Sequence, residues 1–423
     1  MNILTLSWKN LKNKPLNLLL NLVLFALGAG LIILLLLLNH QLDDQLRRNQ
    51  AGVNMVIGAK GSPLQLVLSS LYHIDSPTGN IPIAKAKPFM RPGHPLIKTA
   101  VPLALGDSYE GFRIVGTSPD ILELYHASIA QGQPWQHPFE VVLGSGVARS
   151  TGLKPGSRFH SSHGFVLDDN LVHEDADAFL VTGILKQTGS VIDQLVLTSP
   201  QSVWEVHGDH GTETAPHDST AVTHHEGADA EPEKPLYEYE DKEITSLLIQ
   251  FKNINAQTLS LPRNINENTD LMAANPAFEL DRLFSLVGSG EKTLRAIAVI
   301  ILIVSALSIF ISLYASLKER RYELALMRVM GASPDKLTGL VMLEGLLLAA
   351  MGCVFGFMLG HIGMELLSGY LEKTYRYPFT GWLFLPGPEL QLLGGGLLIG
   401  LIAAFIPSLQ ARLTDISETL AEN

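Results

Sequence analysis

Four long apolar runs constrain this chain more than anything else in it. Residues 16–38, 296–317 and 390–411 hold no charged side chain, and residues 337–364 hold only Glu344. A helix needs about 20 apolar residues to cross a hydrocarbon core, and backbone in lipid must satisfy its own hydrogen bonds. The runs therefore predict a membrane α-helical protein with four transmembrane helices, and the long stretch between the first two runs becomes a large inserted domain. Lys9, Lys12 and Lys14 precede the first run and Asp43 and Asp44 follow it. Lysine excess of this kind keeps the N-terminus in the cytoplasm, and four crossings return the C-terminus there. The first run is not read as a secretion signal, because its apolar core is too long and no small-x-small cleavage site precedes NHQLDDQL. The predicted order is an interfacial helix over 1–15, a span over 16–38, an extracytoplasmic domain over 39–290 and a span over 294–317. There follow a cytoplasmic loop over 318–336, a span over 337–364, a short outside loop over 365–389, a span over 390–411 and a tail over 412–423.

The inserted domain reads as α+β. Residues 53–57, 97–105, 112–115, 141–143, 179–185, 194–197 and 245–251 are strand candidates separated by Gly, Pro and Ser turns, and 63–72 is a short helix opened by Pro63. The one cysteine, Cys353, lies inside the third run, where it serves as a small packing residue. No disulfide staples the domain, so its own core must hold it together.

Between the second and third runs lies KERRYELALMRVMGASP, residues 318–334. Leu324, Met327, Arg328 and Gly331 recur at spacings of three and four, which predicts a short helix with Leu324 and Met327 on one face and Leu326 as a further candidate for it. Gly331 is its stop signal, with Pro334 beyond. Such a helix, held at a membrane surface between two spans, is either a docking surface or an ordinary interfacial loop.

The stretch ERRYELALMRVMGAS, running into the span that carries Glu344, resembles the signature of the MacB/FtsX/LolE class of ABC-transporter permeases, the mechanotransmission type. VLGSGVARSTGL (142–153), FLVTGILKQTGSVIDQLV (179–196) and IPSLQARLTDISETL (406–420) extend the resemblance over most of the chain. It implies that 318–336 is the coupling helix that receives a separate cytoplasmic ATPase, with Glu319, Arg320, Arg321, Glu323, Leu324, Met327, Arg328 and Gly331 as coupling residues. It also implies a pair of permease subunits in the inner membrane, a possible periplasmic or lipoprotein partner, and ATP and Mg²⁺ bound by the partner. The chain itself is expected not to be an enzyme. Relatives of this class serve antibiotics and peptides, lipoproteins, or the control of wall hydrolases.

Glu344 sits about a third of the way into its span and is a functional candidate by cost alone, because an intramembrane charge is expensive. The alternative is structural, a bond to a neighbouring span or to the hydroxyl face of Ser305, Ser308 and Ser312. Gly352, Gly356 and Gly360 recur every four residues and predict close helix packing. GSGEKT (288–293) is rejected as a phosphate loop, since Glu291 stands where G-x-x-x-x-G-K-[ST] requires glycine.

Residues 205–243 carry twelve acids against Lys234 and Lys242, which is −10 of the chain's formal −11. Too few apolar residues remain to build a core, so a flexible insert is expected, and its charge would repel nucleic acid. It also holds His207, His210, His217, His224 and His225, a composition suited to Zn²⁺, with His160, His163 and His173 as further candidates. The reading is a system linked to zinc or another metal, against the lipoprotein, peptide and regulatory alternatives.

Overall fold

The structure, a computed structural model, describes residues 3–163, 178–208, 235–375 and 379–413. It divides into two compact units, residues 1–43 with 286–423, and residues 44–285.

The first unit is helical. Helix α1 (Ile3–Lys12) leads into α2 (Pro15–Gln50), which belongs to this unit up to Asp43. Helices α9 (Pro276–Glu319, from Leu286 onward here), α10 (Arg321–Val329), α11 (Pro334–Tyr375) and α12 (Pro386–Arg412) complete it. Among the described residues four helices are long and apolar enough to cross a membrane, over Pro15–Gln50, Lys292–Glu319, Pro334–Leu371 and Pro386–Arg412. Phe25, Ala29, Leu302, Ile309, Leu348, Ala349 and Ala404 pack at the centre of this bundle. The loop expected over 365–389 is shorter than that, because α11 continues to Tyr375 and α12 starts at Pro386. The helical propensity of MELLSGYLEKTY carries the third span on past its apolar core.

The second unit is α+β. In chain order it holds β1 (Met55–Ala59), α3 (Pro63–Leu71), β2 (Ile81–Pro82), α4 (Ile83–Met90), β3 (Ile97–Tyr109), β4 (Phe112–Thr117), α5 (Asp120–Leu124), β5 (Ile129–Gly132) and β6 (Glu140–Leu143). Then come α6 (Ser145–Thr151), β7 (Arg158–Phe159), β8 (Ser162–His163), β9 (Phe179–Leu185), β10 (Leu195–Thr198), α7 (Pro200–Gly208), β11 (Glu243–Ile244), β12 (Ser246–Phe251), α8 (Ala256–Asn268) and β13 (Leu271–Ala274). The main sheet runs β13-β1-β12-β3-β4-β10-β6-β9-β5, with β7 on β9 and β8 on β3, while β2 pairs with β11 separately. Pairs β10/β4 and β6/β9 are parallel and the rest antiparallel.

Both faces of this sheet are covered, and the two-residue period of a strand sorts its side chains between them. Val56 and Leu248 point into a core shared with Leu66, Val67 and Leu71 of α3, whereas their neighbours Met55, Ile57, Leu247 and Ile249 point into a second core with Ile265 of α8. Phe112, Ile114, Val141, Leu143 and Val196 form a third, closed by Val147 and Val206. Burial on both faces is why these strands read as nearly continuous apolar runs.

Of the insert expected over 205–243, residues 209–234 lie outside the described residues; beside them α7 reaches Gly208, a 3₁₀ turn covers Leu236–Glu238, and β11 pairs Glu243 with Pro82. Trp204 links these elements, its indole donating to the Glu243 carbonyl at 2.7 Å and its ring tilted against Tyr239.

Candidate functional site

Helix α10 is short and well terminated. Glu323 stands in its first turn and Arg328 in its last, each favourable to the helix dipole. At its end Gly331 takes φ +96°, a backbone that favours glycine, and the Ala332 amide donates back to the Met327 carbonyl at 3.0 Å. Arg320 precedes the helix and pairs with Glu323 at 3.1 Å.

The packing of α10 differs from the sequence expectation. Leu324 is 2 % exposed and clusters with Leu337 and Leu340 of α11, joined by Leu6, Leu317 and Met327. Of the face expected to receive a partner, Leu324 and Met327 are thus turned inward, because they find Leu337 and Leu340 within the same chain, whereas Leu326 stays exposed. What α10 presents instead is Tyr322, Leu326, Val329 and Met330, exposed by 48, 44, 59 and 72 %. These positions fall at i, i+4, i+7 and i+8, one continuous stripe. Arg321 is exposed on the same helix, and Glu319 is held by Lys14 of the α1–α2 connection.

Glu344 is 4 % exposed and lies between three elements. Its Oε1 accepts from Asn10 Nδ2 of α1 at 2.7 Å and lies 3.5 Å from Arg320 Nη1. The serines expected as partners do otherwise. Ser305 donates to the Ile301 carbonyl of its own helix, and Ser308 donates to Asn21 Oδ1 at 2.6 Å. Ser312 and Ser316 instead line a cavity of about 20 Å³ together with Asn17, Asn21 and Glu344, room for about one water.

The three spaced glycines face α2. A Cβ on Gly352 would come within 2.7 Å of the Phe25 ring, one on Gly356 within 2.6 Å of the Ala29 Cβ, and one on Gly360 within 2.6 Å of the Ile33 Cβ. On the other side of α11, Gly345 meets Ala404 and Gly400 meets Ala349 in the same manner, at 2.5 and 2.4 Å. The helices approach until backbone and methyl groups touch, the packing available where no water drives association.

A second polar group closes the opposite end of the bundle. His361 Nδ1 donates to the Gly381 carbonyl at 2.6 Å, and Glu365 accepts from the Gly381 amide at 2.7 Å. Glu389, 2 % exposed, accepts from the Leu385 amide at 2.8 Å, and Gln41 bonds both the amide and the carbonyl of Thr380. Only glycine fits at 381, since a Cβ there would meet the His361 carbonyl at 2.2 Å. Glu365 and Glu389 escaped the sequence reading because each sits just outside the apolar run it belongs to.

Of the histidine calls, His207 lies on α7, while His210, His217, His224, His225 and His173 fall outside the described residues. Among the described residues no three metal-ligating side chains converge. Residues 288–293 are helical within α9, which is not the geometry of a phosphate loop.

Residues 18–232 match the family model of the MacB-like periplasmic core domain, and residues 295–416 match that of the FtsX-like permease C-terminal domain. The chain is similar to the macrolide export ATP-binding/permease protein MacB of Agrobacterium fabrum, 23 % identical over 171 residues, which is 40 % of this chain and 26 % of that protein. It thus spans about a quarter of that relative's length. Among solved structures it is similar to the periplasmic region of MacB from Actinobacillus actinomycetemcomitans, with 12 % identity and a TM-score of 0.32 over 56 % of this chain and 97 % of that one. A domain of a putative permease from Porphyromonas gingivalis gives 11 % identity and a TM-score of 0.26 over 53 % and 88 %.

Proposed function

Because the chain belongs to the MacB/FtsX/LolE type of ABC-transporter permeases, we propose that it is the membrane subunit of a system powered by a separate cytoplasmic ATPase. In this reading α10 receives the ATPase on the cytoplasmic side of the inner membrane, both termini lie on that side, and residues 44–285 form the extracytoplasmic domain. Two copies of the permease work together, and ATP-driven motion is passed on mechanically.

The observation that carries the reading is the stripe of Tyr322, Leu326, Val329 and Met330, on a helix fixed between two candidate spans. An apolar stripe of this size on a capped helix has no covering partner among the described residues, and a docking subunit would cover it. Leu324 and Met327 then act from beneath, setting the position of the helix. The substrate side is read from composition: the histidines of residues 207–225 among carboxylates suit capture of Zn²⁺ for metal-linked transport. Lipoprotein release, peptide export and control of a wall hydrolase are the readings that take its place if that capture fails.

Co-purification tests the docking surface. Leu326→Glu and Met330→Glu place a charge in the interface and should reduce recovery of the ATPase at least tenfold, with unchanged amounts of permease in the membrane. Leu324→Glu should act differently, lowering the yield of folded permease because that site is internal. Undiminished ATPase recovery with both exposed-site variants would move the docking surface elsewhere.

A further inference from the structure

Glu344 bonds α1 and the entry to α10 to α11, and we propose that it is a positioning residue that makes these three elements move as one block. The proposal rests on the reading of α10 as the ATPase-receiving helix and extends it to the N-terminal helix. Three observations carry it. First, Glu344 is buried, and its Oε1 faces both Asn10 of α1 and Arg320, the residue from which α10 starts. A carboxylate taken out of water is stable only with such partners, so the two contacts are not interchangeable with solvent. Second, the block has further ties beside this point. Leu6 of α1 packs into the cluster of Leu324, Leu337 and Leu340, and Ser7 Oγ donates to the Leu340 carbonyl at 3.4 Å. Third, the far side of the joint is different in kind. Asn17, Ser312 and Ser316 meet there around the water-sized cavity, where bonds to a water are readily exchanged.

A push on α10 therefore has a stiff route into α11 and α1 through Glu344, and a soft boundary at the cavity lined by Ser312 and Ser316 of α9. Without the carboxylate, α10 keeps its hydrophobic seat on Leu337 and Leu340 but loses its polar link to the other two helices. The ATPase still docks, and its stroke is dissipated at α10.

The test uses the full permease purified with its ATPase in detergent. Trp382, 77 % exposed beyond the opposite end of α11, is replaced by Cys in a Cys353→Ser background, and its labelling rate with a thiol reagent is compared without nucleotide and with ATP plus vanadate. The parent should show at least a threefold difference. Glu344→Ala should recover the ATPase normally yet bring that ratio to about one. Glu344→Gln, which still accepts from Asn10 and is the variant most certain to fold, should give an intermediate ratio. Asn10→Leu added to Glu344→Ala should change the ratio no further, because both act at one joint. A merely structural role would lower thermal stability and yield while leaving the nucleotide ratio intact, and that result in Glu344→Gln and Glu344→Ala would overturn the proposal. Its failure is separable from failure of the docking reading. If Leu326→Glu and Met330→Glu leave ATPase recovery unchanged, the premise falls; if they abolish it while the Glu344 variants keep the full ratio, the joint falls alone.

Discussion

His73 shows how far burial can override a side chain's ordinary chemistry. It occupies a left-handed backbone, φ +54°, its Nδ1 has no hydrogen-bond partner among the described residues, and it lies near the buried Arg113 guanidinium. Arg113 donates to the Ser69 and Asp75 carbonyls at 3.4 and 3.0 Å. Burial first and the Arg113 charge second push the His73 pKa down to about 3. The unfolded chain binds this proton near the ordinary value of about 6.5, so the stability due to neutral His73 is complete above that pH. It is lost as the pH falls from there towards 3, a loss of a few kcal/mol. His73→Asn tolerates the left-handed backbone and does not titrate, so unfolding monitored by tryptophan fluorescence should depend less steeply on pH between 6.5 and 4. An unchanged slope would mean that other groups set the acid sensitivity. None of this environment is legible in the sequence, because His73 lies in the loop after α3 and Arg113 on β4, and only folding brings them together. The same holds for Glu344: its rarity in an apolar run marks it, but its partner Asn10 is 334 residues away.

Among the elements, those with a strict period were legible and those built on exceptions were not. Strands over 55–59, 112–117, 179–185 and 246–251 announce themselves by apolar and β-branched runs. Strand β13 is only LMAA, and α8 carries an internal Pro262 and an average polarity typical of a loop. What secures α8 is its start, where Asn255 and Thr258 cap each other in both directions. The glycine stripe of α11 was legible as a spacing, yet its partner helix was not, because small residues state only that something comes close. Contact with Phe25, Ala29 and Ile33 turns the spacing into a quantitative expectation. Gly356→Leu must displace the Ala29 methyl, which its Cβ alone would approach to 2.6 Å, and forcing the helices apart costs about 1–3 kcal/mol or more. Gly394→Leu on α12 has nothing within 4 Å and should be nearly neutral. Thermal unfolding in detergent should therefore separate the two variants clearly. Equal midpoints would show that α2 and α11 do not pack through this seam.

On the scale of the whole molecule, the charge is strongly uneven. Ten of the eleven net negative charges belong to residues 205–243, so the remainder of the chain is close to neutral. The same residues hold five of the fourteen histidines. A soluble domain gains nothing in stability from concentrating like charges, which repel one another, so the tract is best understood through what it attracts. Imidazole must be neutral to ligate, and carboxylates raise the local concentration of cations, so Zn²⁺ should bind near pH 7.5 and be released as the pH falls through about 6.5. Histidines scattered along the sequence at no fixed spacing point to affinity on the order of micromolar, suited to capture rather than to a permanent structural ion. Calorimetric titration of the purified permease with Zn²⁺ at pH 7.5 and 5.5 should show several sites at the higher pH and few at the lower. Deleting residues 209–231 leaves α7 and the 3₁₀ turn at Leu236–Glu238 in place while removing four of the histidines, and most of the binding should go with them. Growth of a strain carrying the deletion should then fail selectively under zinc limitation and recover when zinc is restored. Binding that survives the deletion would place the ligands elsewhere, with His160, His163 and His173 next to be replaced. Binding that disappears without any growth defect would make the tract irrelevant to metal supply, and the lipoprotein and peptide readings would then take precedence.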